Sequence, residues 1–422
     1  MIDLPIEFKN NMKQILNEEY DLFIDTYNYP PYKGLRINTL KISDESLLKE
    51  FNLTSIPWCK EGYYYNNSTP GKHVYHEMGL YYLQEPSAMS AVQALDVQKG
   101  DMVLDLCAAP GGKSTQIASK LQGEGLLVSN EIIPSRAKVL SSNIERMGIK
   151  NAIVTNEDPK KLVNNFAGFF NKILVDAPCS GEGMFRKNND AIKEWSMENV
   201  LMCAKRQEEI LDIAEKMLQD DGTIVFSTCT FSKYENESVV EKFLLKHKDF
   251  KCEKQERLYP HKIKGEGHFY AVLKRNGIKE YKKLEYPVLK KMDKNFVQFA
   301  SDTLNIPLSY NLCYGDNLYY SPKVNLNGIK TLRVGLHLGE LKKNRFEPSH
   351  SLALALESKD FKNVVLLDKD SLEVKKYIAG ESINSDVKGW ACVSVDNYPL
   401  GWIKGDGNIA KNHYPKGLRK EL

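Results

Sequence analysis

The chain has 422 residues and a formal net charge of +3, and it is long enough for two or three domains with a sizeable core. Hydrophobic residues make up 42% and charged residues 27%, and no apolar run approaches the roughly 20 residues of a membrane span. The eight cysteines include no CxxC pair, which argues against a zinc ribbon and a disulfide framework. The N-terminus has no export signal, so we expect a reduced, cytoplasmic protein.

The segment 1–80 is predicted to form a small α+β domain. Apolar side chains recur near a 3.6-residue period across residues 6–28, which predicts an amphipathic helix that ends before Pro30. Residues 35–42 alternate between apolar and polar side chains, as in a half-buried strand. Residues 43–51 are predicted to form a short capped helix.

The segment 81–275 is predicted to form a doubly wound, mostly parallel α/β sheet, because strand and helix patterns alternate through it. Pro86 is well placed in the first turn of the helix that opens the segment. The predicted strands cover residues 102–106, 126–130, 151–155, 172–176, 222–228 and 267–273. The predicted helices cover residues 113–121, 134–147, 199–219 and 234–247.

The rest of the chain is predicted to contain two smaller units. Residues 276–358 combine a linker with a first C-terminal domain, and residues 359–422 form a β-rich domain. The predicted elements are helices at 295–303 and 349–357 and strands at 364–367, 389–395 and 400–404. From Lys251 to Lys294 there are 13 lysines and arginines against 6 acidic residues, a net charge of +7, which indicates either a solvated face or a phosphate-contacting surface.

Three predicted strand ends carry groups that suit a nucleoside with a charged amino-acid tail. The first strand leads through a turn of small residues to a helix that begins near Lys113, and a helix N-terminus attracts anions. Glu131 ends the second strand and could accept hydrogen bonds from both ribose hydroxyls, while Asp158 after the third could accept an amine hydrogen of adenine. Neither GxGxxG nor the phosphate-loop spacing fits, which disfavours a nicotinamide oxidoreductase. Together these groups describe a site for S-adenosylmethionine.

Two cysteines follow two predicted buried strands, Cys179 just after Asp176 and Cys229 fifty residues later. A lone cysteine is usually a small buried hydrophobe, but these two sit beside polar turn residues at strand ends. A thiolate that adds to carbon 6 of cytosine makes carbon 5 nucleophilic, and an acid near ring nitrogen 3 stabilises the developing charge. A base must then remove the carbon 5 proton so that the thiol can leave. The two thiols and the acid supply these three groups.

Three motifs carry a family resemblance: Asp105-Leu106-Cys107-Ala108-Ala109-Pro110-Gly111-Gly112-Lys113, Asp176-Ala177-Pro178-Cys179-Ser180-Gly181-Glu182-Gly183 and Ser227-Thr228-Cys229-Thr230. They resemble the RNA cytosine-C5 methyltransferases of the NOL1/NOP2/Sun type, and the resemblance covers nearly the whole chain. Residues 82–88 look like the start of that family's catalytic domain. Residues 389–419 look like the PUA-like tail of the bacterial 16S rRNA branch. The resemblance implies a Rossmann-like methyltransferase core between an N-terminal RNA-recognition domain and a PUA-like RNA-binding domain.

The resemblance also implies a role for each site residue. In this family the thiol at Cys229 is the nucleophile and the thiol at Cys179 helps to release the product, whereas DNA cytosine methyltransferases attack with their Pro-Cys thiol. One local departure is Pro159, where the family often has a small residue. The residues expected to line the S-adenosylmethionine site are Cys107, Ala108, Ala109, Pro110, Gly111, Gly112, Lys113, Glu131, Arg136, Asp158 and Asp176.

We therefore expect S-adenosylmethionine-dependent methylation of carbon 5 of cytosine in RNA, with 16S rRNA of the small ribosomal subunit as the expected substrate. We expect a monomer that binds no metal and no membrane. Transfer RNA is the alternative substrate. An RNA-binding ribosome-assembly factor with incidental methylation is the alternative of another class, and the intact pair of Cys179 and Cys229 speaks against it.

Overall fold

The computed structural model describes residues 3–43, 45–66, 68–278, 284–289 and 291–421. Within these ranges the chain forms four β-sheets, each with its own helices. No helix in the described part of the chain is long and apolar enough to cross a membrane. The expected α/β architecture is therefore present, with sheet-based units before and after the largest sheet in the sequence.

The N-terminal unit is built on a four-stranded antiparallel sheet of order β2-β3-β1-β4. Its strands are β1 (Gly34–Ile37), β2 (Thr54–Ile56), β3 (Cys59–Tyr64) and β4 (Tyr81–Leu83), and its helices are α1 (Ile6–Leu16), α2 (Tyr20–Asp25) and α3 (Val74–Glu77). Because β4 pairs with β1, this sheet continues past residue 80, where the sequence analysis placed a domain boundary.

Two predicted elements of this unit are shorter than expected. The helix predicted over residues 6–28 is broken after Leu16, because Asn17 adopts a positive φ of 48° that a helix does not allow. The strand predicted over residues 35–42 ends at Ile37, because Oδ1 of Asn38 accepts a hydrogen bond from the backbone N–H of Leu40 and forms a turn.

The central sheet has eight strands, seven of them from the middle of the chain. These are β5 (Met102–Asp105), β6 (Leu126–Asn130), β7 (Ala152–Thr155), β8 (Phe170–Asp176), β9 (Leu218–Thr228), β10 (Phe250–Leu258) and β11 (His268–Arg275). The run from β9 through β8, β5 and β6 to β7 is parallel, and β11 and β10 add antiparallel at one edge. All six predicted strands are present. The strand β10 went unpredicted because most of its residues are charged or exposed, as at a sheet edge.

Helices cover both faces of the central sheet, so its parallel strands are buried on both sides. The helices of this segment are α4 (Ser90–Leu95), α5 (Gly112–Leu121), α6 (Pro134–Arg146), α7 (Pro159–Phe166), α8 (Asn189–Glu194), α9 (Met197–Met217) and α10 (Glu237–Lys246), of which α8 packs in an apolar cluster with α1 rather than on the sheet. Leu104 and Ile173 pack in the core on one face, and their neighbours Val103 and Leu174 pack in the core on the other. Because β5 to β9 pair in parallel, their carboxyl ends lie along one edge of the sheet.

The next segment contributes a small antiparallel sheet and also a strand of the central sheet. Its elements are α11 (Lys294–Thr303), β12 (Leu312–Tyr314), β13 (Asn317–Tyr320), β14 (Thr331–Val334), β15 (Leu336–Lys342), β16 (Arg345–Pro348) and α12 (His350–Ala355). The small sheet has the order β12-β13-β15-β16, whereas β14 pairs antiparallel with β7. The basic stretch identified above lies partly outside the described residues, which omit Lys279, Lys282, Lys283 and Lys290.

The tail forms a five-stranded sheet of order β17-β19-β20-β21-β18. Its elements are β17 (Val364–Leu367), α13 (Leu372–Ala379), β18 (Ile383–Asn384), β19 (Lys388–Val395), β20 (Tyr398–Asp406) and β21 (Ile409–Asn412). The predicted hairpin is present as β19 and β20. Asp396 and Asn397 form its two-residue turn with φ of 49° and 65°, as a type I′ turn requires.

The tail packs directly on the N-terminal unit. Leu35 and Tyr81 of that unit share one buried core with Tyr377 and Ile378 of α13. At the rim of this core, Nζ of Lys420 lies 2.8 Å from Oε1 of Glu77. The two ends of the chain therefore form one packed body beside the central sheet.

Candidate active site

The two cysteines predicted to react lie side by side. Cys179 follows β8 and Cys229 follows β9, and these strands pair in parallel with Asp176 opposite Ser227. The Sγ atoms of the cysteines are 3.3 Å apart, and both residues are half-buried. The hydrogen bond to Cys229, followed by burial, raises the pKa of Cys179 well above its ordinary value. Cys179 therefore keeps its proton at neutral pH while it faces the second sulfur.

A buried glutamate holds the first cysteine loop. Glu235 accepts hydrogen bonds from the backbone N–H of Ser180 at 2.8 Å and from its hydroxyl at 2.5 Å. Gln207 of α9 donates to the same carboxylate at 3.1 Å and to the carbonyl of Pro178 at 3.0 Å. The residues on both sides of Cys179 are thus fixed to the segment that follows Cys229.

A second buried glutamate, carried on the Cys179 loop, binds the segment that follows Cys229. Glu182, from the Cys179 loop, accepts a hydrogen bond from the backbone N–H of Phe231 at 2.9 Å and from the indole N–H of Trp195 at 3.0 Å. The backbone N–H of Gly183 donates to the carbonyl of Cys229 at 2.8 Å. Sequence reasoning did not assign Glu182 or Glu235 to the site, although both lie within a few residues of a cysteine.

Asp176 lies at the same sheet edge and is ionised. Its Oδ2 is 2.8 Å from Nζ of Lys113, and its Oδ1 accepts a hydrogen bond from the Ser227 hydroxyl at 2.8 Å. Burial alone would raise the pKa of Asp176, but the Lys113 ammonium and these hydrogen bonds hold it below its ordinary value. Lys113, one of the residues expected to line the cofactor site, is paired with Asp176 in the structure.

The sequence analysis missed two buried side chains near this edge of the sheet, His268 and Arg36. Burial lowers the pKa of His268 to about 3, so the imidazole is neutral, and its Nε2 lies 3.9 Å from Oδ1 of Asp176. Arg36 of β1 donates to the Thr115 hydroxyl at 2.7 Å and to the carbonyl of Gly112 at 3.3 Å, which fixes the first turn of α5. An arginine in an otherwise apolar strand was the available sequence signal for the second contact.

The predicted cofactor loop connects β5 to α5. The backbone N–H of Ala108 donates to the carbonyl of Asn130 at 2.8 Å, which ties the loop to the end of β6. Gly111 has a φ of 112°, a conformation that favours glycine, and Gly112 begins the helix. The loop residues in order are Cys107, Ala108, Ala109, Pro110, Gly111, Gly112 and Lys113, of which Ala108, Ala109 and Gly111 are buried.

Asp105, at the end of β5, is an acid that the sequence analysis did not assign to the site. Its Oδ2 accepts a hydrogen bond from the Ser114 hydroxyl at 2.6 Å, while its buried Oδ1 has no partner among the described residues. Burial raises the pKa of Asp105 to about 7. Its place in the first motif, one strand from Asp176, was the signal that could have identified it.

The other two predicted acids follow β6 and β7. Glu131 is 3% exposed, its Oε1 accepts from the backbone N–H of Ile133 at 2.9 Å, and its Oε2 lies 3.6 Å from Nη1 of Arg136. Arg136 also donates to the carbonyl of Ala109 at 2.7 Å, so it joins this acid to the loop. Asp158 caps α7 by accepting from the backbone N–H of Lys160 at 2.9 Å.

The proline that departs from the expected pattern fits this cap. Pro159 is the first residue of α7, a position where its fixed φ is favourable and its missing N–H costs nothing. Asn156 donates to the carbonyls of Glu131 and Ile132 at 2.8 and 2.9 Å, which couples the ends of β6 and β7. Three adjacent strand ends therefore present Asp105, Glu131 and Asp158 along one edge.

A parallel sheet with acids after successive strands and a helix opening beside them is the architecture of Rossmann-like methyltransferases. The family described as 16S rRNA methyltransferase RsmB/F matches residues 92–274. Three further family descriptions match the flanking regions: the N-terminal domain of 16S rRNA methyltransferase RsmF (residues 4–86), the RsmF rRNA methyltransferase first C-terminal domain (298–356) and the methyltransferase RsmF PUA domain (362–420).

Relatives match along their whole length. The chain is 34% identical to ribosomal RNA small subunit methyltransferase F of Vibrio vulnificus over 99% of this chain and 97% of the relative. It is 30% identical to the protein of that name from Escherichia coli O157:H7, over 99% and 97%. The chain belongs to this family of ribosomal RNA methyltransferases, whose methyl donor is S-adenosylmethionine.

Solved structures share the fold. A methyltransferase homolog from Pyrococcus horikoshii is 27% identical with a TM-score of 0.56, and the match covers 65% of this chain and 96% of that one. NSun6 from the same organism, solved with SFG, is 24% identical with a TM-score of 0.58, over 65% and 99%. The family resemblance drawn from the motifs is confirmed.

The buried glutamate beside Cys179 gives a pH-dependent prediction. Burial raises the pKa of Glu235 from its ordinary 4.5 to about 7. Between these values the folded protein holds a proton that the unfolded chain has lost, so stability falls as the pH rises. From pH 5 to pH 8 the wild type should lose about 1–3 kcal/mol of unfolding free energy relative to Glu235→Gln, measured by urea unfolding.

The matched control is Glu241→Gln, which changes an exposed glutamate on α10. Its stability should follow that of the wild type at both pH values. If the unfolding free energies of the wild type and Glu235→Gln change equally with pH, the pKa of Glu235 is not raised by folding.

Proposed function

We propose that this rRNA methyltransferase methylates carbon 5 of cytosine in 16S rRNA through a covalent bond between a cysteine and carbon 6 of the base. The observation that carries the proposal is the pair of half-buried thiols 3.3 Å apart. The ionised Asp176 lies on the same sheet edge. Nucleophile, releasing group and acid are the three groups that this reaction requires, and a flipped-out base is the substrate that such a pocket accepts.

The described residues fit S-adenosylmethionine, which supplies the methyl group when it is bound. The buried Oδ1 of Asp105 has no protein partner and suits a cationic amine. Glu131 keeps a buried carboxylate oxygen, Oε2, toward which ribose hydroxyls could donate, and Arg136 holds it in place. Asp158 uses one oxygen as a helix cap and leaves the other for an adenine amine.

The cysteines take different roles. We assign the attack on carbon 6 to Cys229, on the resemblance of Ser227-Thr228-Cys229-Thr230 to the family motif. Cys179 then helps to release the product, as the carbon 5 proton is removed and the bond to carbon 6 breaks. Asp176, held by Lys113 and Ser227, takes the role of the acid near ring nitrogen 3, and in this role it has to carry a proton when the base is bound.

The assignment of the two thiols predicts opposite results on a denaturing gel. Cys229→Ala should form no covalent RNA adduct and transfer no methyl group. Cys179→Ala should still attack and methylate once, and its adduct should accumulate when S-adenosylmethionine is present, because release is slow. An adduct that persists in Cys229→Ala and is absent in Cys179→Ala would reverse the assignment.

The cofactor site predicts an effect at Glu131. Glu131→Ala should weaken S-adenosylmethionine binding by about 1.5–3 kcal/mol, on the order of 10- to 100-fold in Kd by calorimetry, because charge-assisted hydrogen bonds are lost. The matched control is Glu124→Ala at the opposite end of β6, where the side chain is 63% exposed. Equal affinity of wild type and Glu131→Ala would remove Glu131 from the site.

The tail has a surface suited to RNA phosphates. Lys404 of β20 and Lys411 of β21 face each other across the sheet and are exposed. Like charges directly opposite destabilise a sheet, and in the described part of the chain neither lysine has a carboxylate within 4.0 Å. A bound polyanion would relieve this repulsion.

Lys411→Ala should therefore weaken RNA binding, and the slope of log affinity against log salt should fall by about 0.7–0.9, the share of one phosphate contact. S-adenosylmethionine affinity should not change. The control is Lys359→Ala, an exposed lysine already paired with Glu357 at 2.6 Å. A salt slope identical to that of the wild type would show that this face does not contact RNA.

The substrate is tested by mapping 5-methylcytosine in 16S rRNA and tRNA from a strain lacking the gene. At least one 16S modification should be absent, and it should return with the wild-type gene but not with Cys229→Ala. A loss of 5-methylcytosine confined to tRNA would show that tRNA is the substrate instead of 16S rRNA. Unchanged 5-methylcytosine in both RNAs would overturn the proposed chemistry.

A further inference from the structure

The two reactive cysteines are the one pair of cysteine sulfurs in contact within the described part of the chain. All eight cysteines are free. Cys179 and Cys229 are half-buried, with their Sγ atoms 3.3 Å apart. Cys313 is exposed and has no neighbouring thiol. The sulfurs are 3.3 Å apart, and an S–S bond of about 2.05 Å needs them to come closer by about 1.3 Å.

The loops that carry these thiols cannot easily separate. Glu235 holds both the backbone and the hydroxyl of Ser180, and the Ser180 hydroxyl lies 2.9 Å from that of Thr230. On the other side of the pair, Gly183 bonds to the carbonyl of Cys229 and Glu182 to the N–H of Phe231. Residues next to each cysteine are thus bonded across to the opposite loop. Once one of two thiols fixed in this way carries a mixed disulfide, the other attacks it as if at very high concentration.

We propose that Cys179 and Cys229 form a reversible disulfide when the protein meets an oxidised low-molecular-weight disulfide such as oxidised glutathione, and that this bond switches the methyltransferase off. One cysteine thiolate attacks the glutathione disulfide, forms a mixed disulfide and releases the first reduced glutathione. The second cysteine loses its proton, attacks the mixed disulfide and releases the second. The protein loses two protons and two electrons, and the glutathione disulfide gains them as it becomes two molecules of reduced glutathione.

The bond removes both thiols needed for the proposed cytosine chemistry, so the loss of activity rests on the proposed function. The cofactor site contains neither of these sulfurs. Asp105, Glu131 and Asp158 lie at the ends of β5, β6 and β7, and Asp176 at the end of β8 is fixed by Lys113 and Ser227, whereas the disulfide would join the loops that follow β8 and β9. The oxidised protein should therefore bind S-adenosylmethionine and be unable to attack RNA.

The test is to incubate the full-length protein with oxidised glutathione, block the remaining thiols and map the peptides. The expected product joins the peptides containing Cys179 and Cys229 and retains no glutathione. Methylation of RNA should fall to background and return after dithiothreitol, while calorimetric affinity for S-adenosylmethionine should stay within about twofold. Cys313→Ser should behave like the wild type. Cys179→Ser should keep one glutathione on Cys229, because the second thiol is missing.

A wild-type protein that retains glutathione on either cysteine, or that loses activity without the cross-link, would overturn the proposal. Peptide mapping needs no RNA and no methylation, so the two proposals fail separately. If the cross-link forms in a protein that makes no 5-methylcytosine, the disulfide proposal holds and the proposed function fails. If the protein makes 5-methylcytosine but forms no cross-link with oxidised glutathione, the proposed function holds and the disulfide proposal fails.

Discussion

The active site depends on two carboxylates buried between the cysteine loops. Parallel strands deliver Cys179 and Cys229 to one edge, but the loops that follow a strand have backbone N–H groups with no partner in the sheet. Glu235, which follows Cys229 in sequence, accepts a hydrogen bond from the backbone N–H of Ser180 in the Cys179 loop. Glu182 in the Cys179 loop accepts one from the backbone N–H of Phe231, so each loop supplies a carboxylate to a backbone N–H of the other. Burial raises the pKa of both acids, a cost that the hydrogen bonds offset. This exchange holds the sulfurs in contact.

Different surroundings give neighbouring acids different charges. Asp105 and Asp176 end adjacent strands, and Asp105 is fully buried whereas the Asp176 side chain is 31% exposed. Asp176 has the Lys113 ammonium at 2.8 Å and is ionised, whereas Asp105 has hydroxyl donors only and burial raises its pKa to about 7. The edge therefore has an ion pair, Asp176 with Lys113, near the thiols, and next to it a buried carboxyl group, Asp105, whose Oδ1 has no partner among the described residues.

The ends of the chain reinforce this edge from outside the sheet. Arg36 reaches from β1 into the first turn of α5, and Asn38 donates to carbonyls of Gly79 and Met147. The tail shares a core with this N-terminal unit through Tyr377 and Ile378. Because β14 also adds to the central sheet, the flanking units are joined to it by packing and by strand pairing. A surface on the tail is therefore held in a fixed relation to the cysteines.

The sequence by itself determined the central strands, the two cysteine loops and the acids Glu131, Asp158 and Asp176. These features depend on local patterns: apolar runs, turn residues and motifs that a neighbouring stretch of chain defines. Tertiary structure alone decided that Lys113 pairs with Asp176, that Glu235 binds Ser180 and that β14 joins the central sheet. It also decided that the tail shares a core with the N-terminal unit. Each of these contacts joins residues at least 50 positions apart, so no local pattern records them, and they form only because burial demands a partner for every polar group and cover for every apolar face.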